Sequence, residues 1–212
     1  MSIIRHPDQR VAIFIDTQNL YHSAKNLYKA KVNFGAVVQA ALGDRQLIRA
    51  LSYVVNTESG EESAFFEALE KIGIEIKTKD LLVFYGGAKK ADWDVGIAVD
   101  AIKIATKVDS IVLATGDGDF VPLVKHIQSL GCQAEVITFG RSASSQLRAA
   151  VDDFIDMDES PKDYLINYRG AAAARRKTTK PTTKKTGTGK TADKASLKKE
   201  IQKVVGTDTD DM

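Results

Sequence analysis

A chain of 212 residues, 43% of them hydrophobic, is a little over one ordinary domain and has enough apolar surface for a core, which excludes a globally disordered protein. There is no charged start followed by an apolar h-region, and no apolar run near the length of a membrane span, so a soluble cytoplasmic protein without a membrane partner is expected. The net charge of +2 is unevenly spread: residues 1–170 carry 19 Lys and Arg against 23 Asp and Glu, and residues 171–212 carry 11 against 5.

The first apolar run, 11–15, reads as a buried strand ending in Asp16. Leu20, Ala24, Leu27 and Tyr28 follow at helical spacing, and a second helix is expected over 34–42. Branched and aromatic residues over 48–55 predict a strand. Residues 61–72 predict a helix closed by Gly73, with an alternating strand over 74–78 and a short one over 81–85. The spacing then predicts a helix over 92–106, a strand over 110–114, a helix over 120–130 closed by Gly131, and a strand over 134–139. A helix over 144–150 and a final strand at 154–155 complete the pattern.

Strands alternating with helices in this way predict an α/β fold: a three-layer sandwich whose central sheet is mainly parallel, over residues 1–170. From Ala171 the composition turns to Ala, Lys, Thr and Gly, too polar to offset chain entropy, so 171–212 is expected to be a basic, mostly disordered tail. Leu197, Ile201, Val204 and Val205 in it suit one short amphipathic helix, too short to persist alone.

Acids gather where such a sheet would bring them together. Asp16 ends the first strand, Asp117 and Asp119 follow the strand over 110–114, and Asp92 and Asp94 open the helix before that strand. In open parallel sheets ligands bind at the carboxyl edge, and paired carboxylates there repel one another unless a cation lies between them. Capping and turn roles for Asp94, Asp117 and Asp119 remain open beside this reading. Asn19, one turn beyond Asp16, suits orienting a carboxylate, binding a metal-bound water, or a helix N-cap. Asp100 points about 120° away from Asp94 around the helix, as an outer acid or a polar-face residue.

Cys132 is the only cysteine, and His6, His22 and His126 form no ligand spacing. Any metal would therefore be held by oxygen, which favours Mg²⁺ or Mn²⁺ over Zn²⁺. Such a site suits metal-assisted attack of water on a phosphodiester. Lys89 and Lys90 lie beside it in sequence, and Arg175, Arg176, Lys177, Lys180, Lys184 and Lys185 supply the tail's charge. Trp93 reads as a packing residue in preference to a base-stacking platform. Gly187-Thr-Gly-Lys-Thr is not a phosphate loop, since Lys184 stands where that motif needs Gly and no strand precedes it.

Phe14-Ile-Asp-Thr-Gln-Asn-Leu-Tyr, Lys90-Ala-Asp-Trp-Asp-Val-Gly-Ile-Ala-Val-Asp and Thr115-Gly-Asp-Gly-Asp-Phe-Val-Pro-Leu resemble the NYN domain, in its bacterial LabA-like branch, similar to the PIN-like nucleases. The resemblance covers about residues 8–160. It implies a PIN-like sandwich and a Mg²⁺- or Mn²⁺-dependent ribonuclease whose metal site is Asp16, Asp94, Asp117 and Asp119, with Asn19 at a commonly shared position. These five are the candidate catalytic residues, and Asp100 and Thr115, read from their places along the chain, are the candidates to stand behind them. Thr17 departs from the pattern, where relatives often have Gly. RNA, chiefly in single-stranded regions, is the expected partner, and a homo-oligomer is left open. The competing readings are a non-catalytic RNA-binding or regulatory module with the same fold and a small-phosphoester phosphatase.

Overall fold

The apolar run 11–15 becomes the interior of β1 (Arg10–Asp16), each of its side chains at most 1% exposed. A strand without a polar face is one covered on both sides. The computed structural model, which describes residues 5–56, 63–80, 82–83, 89–90 and 92–168, shows what covers it. After β1 come α1 (Thr17–Tyr28), β2 (Lys31–Val32), α2 (Phe34–Leu42), β3 (Gln46–Asn56), α3 (Ser63–Lys71) and β4 (Glu75–Asp80). The paired β5 (Leu82–Val83) and β6 (Lys89–Lys90) lead to α4 (Asp94–Ala105), β7 (Ser110–Ala114) and a 3-10 turn, Gly118–Phe120. Then follow α5 (Val121–Ser129), β8 (Gln133–Thr138), a second 3-10 turn (Gly140–Ser142), α6 (Ser145–Ala150), β9 (Asp153–Asp156), α7 (Pro161–Tyr164) and β10 (Leu165–Ile166).

The main sheet has the order β4-β3-β1-β7-β8-β9 with every neighbouring pair parallel. The chain builds outward from β1 through β3 to β4, then returns to the other side of β1 and builds outward again. Right-handed crossovers running in opposite directions must lie on opposite faces. Leu20, Ala24, Val37, Val38 and Leu69 accordingly cover the face of Val11, Ile13, Ile15 and Val112. Ile97, Ala101, Leu123, Ile127 and Leu147 cover the other, formed by Ala12, Phe14, Ile111 and Leu113. Where β1 and β7 lie side by side their crossovers leave to opposite faces, which opens a crevice at the carboxyl ends. The register pairs Ile15 with Ala114, so Asp16 and Thr115 emerge level with one another.

The expected sandwich is the observed one, with local differences. The strand at 154–155 is not the last element: β10 follows and pairs antiparallel with β2. Two-residue strands carry no readable period. The helix expected over 92–106 starts at Asp94, leaving Asp92 outside it, and the one expected over 120–130 starts at Val121 after the 3-10 turn. Gly73 and Gly131 do follow their helices, at φ 81° and 78°. Of the strand over 81–85 the described residues include 82–83, and the start of the helix at 61–62 and all residues from 169 onward lie outside them. A buried ion pair, Arg45 with the fully enclosed Glu135, ties β8 to the loop before β3, where Ser110 also donates to Glu135. It sits toward the amino ends of the strands, away from the crevice.

Candidate metal centre at the switch point

Each acid is held by local backbone geometry. Asp16 is the N-cap of α1, and its Oδ1 accepts from the Asn19 amide at 3.1 Å. Its Oδ2 accepts from the Thr115 hydroxyl at 3.3 Å across the β1–β7 pair. Asn19 is thus not the cap. Its Oδ1 instead accepts from the Gly116 amide at 2.9 Å and pins the turn after β7 to the first turn of α1. The Asp117 amide donates to Thr115 Oγ1 at 3.3 Å, and Asp117 Oδ1 caps the 3-10 turn by accepting from the Asp119 amide at 3.0 Å. Asp94 enters from the first turn of α4, where the helix dipole favours a negative charge.

One carboxylate oxygen from each of Asp94, Asp117 and Asp119 lies within 4.8 Å of the other two, with Asp94 and Asp117 half-buried and Asp119 exposed. Two oxygens bound across a single Mg²⁺ at about 2.1 Å each stand about 4.2 Å apart, so this all-carboxylate set fits a hard divalent ion with small side-chain adjustments. Asp16 is not among the three, but two of them act on it. Burial pushes its carboxyl up to about 6 against the lowering effect of the Asn19 amide, and the charges of Asp94 and Asp117 add to the rise.

The turn itself has little room. A Cβ at Gly118 would lie 2.7 Å from Ser144 Oγ, and one at Gly116 would lie 3.1 Å from Ala143 Cα. The Ser144 amide donates to the Gly116 carbonyl at 2.9 Å, so the loop after β8 clamps the acid turn. Nothing in the sequence singled out that loop, although the glycines on either side of Asp117 were its trace.

Asp100 goes elsewhere. It accepts from Tyr53 at 2.8 Å and from Lys77 at 2.6 Å on the β3–β4 side of α4. Burial pushes its carboxyl up, but those two bonds outweigh it and leave it below the usual range. Thr17, at the departure from the family pattern, is buried and its hydroxyl lies 2.6 Å from that of Ser52. Lys89 and Lys90 form β6, shortly before Asp94. Arg175, Arg176, Lys177, Lys180, Lys184 and Lys185 lie outside the described residues.

Trp93 is a packing residue. Its Nε1–H donates to the Val54 carbonyl at 2.9 Å, Tyr53 meets it edge-on at 5.2 Å, and Gly96 abuts its ring. Trp93→Phe removes that donor and is expected to lower stability by about 1–3 kcal/mol in urea unfolding. A variant as stable as wild type would show that the indole is not held by packing.

The sequence matches the NYN domain over residues 10–158. The chain belongs to the NYN domain family. It is 26% identical over 157 residues to the "Low amplitude and bright protein LabA" of Synechococcus elongatus, an alignment covering 71% of this chain and 84% of that protein. A crystal structure of a protein of unknown function from Vibrio parahaemolyticus superposes with a TM-score of 0.69 at 30% identity, covering 77% of this chain and all of the other. The NYN domain is a PIN-like nuclease fold, its family is generally ribonucleolytic and its members typically use divalent metals. The acid cluster of this NYN domain is consistent with that chemistry. No helix among the described residues is long and apolar enough to cross a membrane.

Proposed function

We propose that this chain is a Mg²⁺- or Mn²⁺-dependent endoribonuclease of the cytoplasm that cuts single-stranded regions of RNA. The observation carrying the reading is the triad of carboxylates within 4.8 Å at the switch point of an NYN domain. A non-catalytic RNA binder gains nothing from a negative pocket facing phosphates, which is why the enzymatic reading is preferred to the regulatory one. A divalent ion there would supply Lewis-acid activation of water and charge neutralisation for the departing oxygen. Asp94, Asp117 and Asp119 would hold it, with Asp16 as a fourth acid. Asn19 and Thr115 keep β1 and the acid turn in register, and Lys89 and Lys90 are assigned to a phosphate of the bound strand. The test is incubation of purified protein with varied RNAs in Mg²⁺, in Mn²⁺ and in chelator. Internal cleavage that chelator abolishes supports the reading. Intact RNA in both metals would leave the regulatory reading, and release of phosphate from a chromogenic monoester would point to a phosphatase.

The proposal divides the labour between core and tail. Residues 171–190 hold seven Lys or Arg and no acid, whereas residues 1–170 carry an excess of acid that repels a polyanion. The tail, Arg175, Arg176, Lys177, Lys180, Lys184 and Lys185 included, then supplies affinity that does not depend on sequence. Each phosphate contact contributes a log–log salt slope of about −0.7 on single strands. Deleting everything after Gly170 is expected to flatten that slope and raise KM with little change in kcat, because uniform binding is lost. Equal slopes for full-length and truncated protein, measured with an inactive acid variant, would assign the tail no part in binding.

A further inference from the structure

The inner stripe of α4, Ile97, Ala101 and Ile104, is buried in the sheet, as a surface helix requires. Its outer stripe is apolar too. Val95, Val99 and Ile102 recur at i, i+4 and i+7 and are 73%, 43% and 39% exposed, on the side where such a helix ordinarily presents polar groups.

We propose that α4 is the contact surface of a homodimer, packed antiparallel against α4 of a second copy. This inference is independent of the nuclease reading. The charges at the helix ends select the occupant and its direction. Asp92 and Asp94 stand at the amino end, and Lys103 and Lys107 at the carboxyl end. An antiparallel copy sets acid against base at both ends and opposes the two helix dipoles, whereas a parallel copy sets like against like. The contact is isologous, so each residue meets its counterpart reciprocally. Val95 then faces the partner's Ile102, and Val99 lies near the two-fold axis beside the partner's Ala98. The tail stripe of Leu197, Ile201 and Val204 has the same spacing, but its neighbours Lys198, Lys199 and Lys203 are basic and suit only the acidic end of α4. In the dimer, the partner's Lys103 and the partner's Lys107 come beside the end of α4 that carries Asp94.

Sedimentation velocity of the full chain, from low micromolar to several hundred micromolar, tests this. A concentration-dependent monomer–dimer equilibrium is expected, lost in Val99→Asp with circular dichroism unchanged and weakened in Lys103→Asp. A disulfide needs Cα atoms about 4.4–6.8 Å apart, which a residue and its own counterpart satisfy only near the axis, and two different residues satisfy where they face one another across the contact. Under mild oxidation Val99→Cys should cross-link with itself and Val95→Cys should not, while an equal mixture of Val95→Cys and Ile102→Cys should cross-link as a heterodimer. The native Cys132 is buried and does not compete. A monomer at every concentration, a dimer indifferent to Val99→Asp, or self-cross-linking of Val95→Cys in place of Val99→Cys would overturn the proposal. So would a monomer whose Val99→Cys resists a thiol reagent, which would place the chain's own tail on the stripe.

Discussion

Asp119→Asn and Asp94→Asn are each expected to lower RNA cleavage by about a thousandfold or more, equivalent to about 4 kcal/mol of transition-state stabilisation, while leaving the circular dichroism spectrum native. Asparagine keeps the size of the side chain and one acceptor oxygen but removes the charge that holds a hard cation. Neither residue is itself an N-cap: Trp93 holds that position on α4, and Asp117 caps the 3-10 turn containing Asp119. The loss should therefore fall on chemistry and metal affinity, and folding should be spared. Calorimetric titration with Mn²⁺ beside single-turnover cleavage separates the two effects. Wild-type cleavage rates in both variants would remove the triad from the reaction.

Asp16→Asn should have the second large effect, on stability. In the metal-free protein the Asp16 carboxyl titrates at about 6 in the fold, above its ordinary 3.8, because it is buried and because Asp94 and Asp117 crowd it. A raised acid gives a contribution that is complete below about pH 4 and is lost as the pH climbs through 6. Above that range the ionised group destabilises the fold by up to about 3 kcal/mol. Asparagine caps a helix as well as aspartate does, so the variant should be more stable than wild type at pH 7.5, with the difference vanishing near pH 4. Denaturant unfolding at the two pH values checks this. Adding Mn²⁺ should narrow or reverse the gap, since an ion that binds only the folded state stabilises it by mass action. A variant no more stable than wild type at pH 7.5 without metal would show that Asp16 bears no such load.

What could be read before the structure was known follows from where the information lies. β1 and β7 are buried on both faces, so their burial is written as continuous apolar runs that need no partner to be recognised. Asp16 stands out because it ends such a run, and Asp117 and Asp119 because they follow one across a short glycine turn. Asp94 stood out more weakly, as one of two acids opening a helix, since a first-turn acid is common on any helix, and the family resemblance is what set it apart from Asp92. Asp100 was the harder case: its partners, Lys77 and Tyr53, arrive from β4 and β3 and leave no mark in its neighbourhood along the chain. The clamp of Ser144 on Gly116 was hidden for the same reason. Residues whose role is fixed by the strand they belong to were legible, and those fixed by a side chain far along the chain were not.

Trp93 is the one tryptophan of the chain, it adjoins Asp94, and its indole is tied to the Val54 carbonyl and set against Tyr53. The molecule therefore carries its own fluorophore at the acid cluster. An ion that drew Asp94 toward Asp117 and Asp119 would also pull on the backbone beside the indole, so a change in emission from unlabelled protein is the expected result of loading the cluster. No other indole contributes background, and the signal belongs to one position.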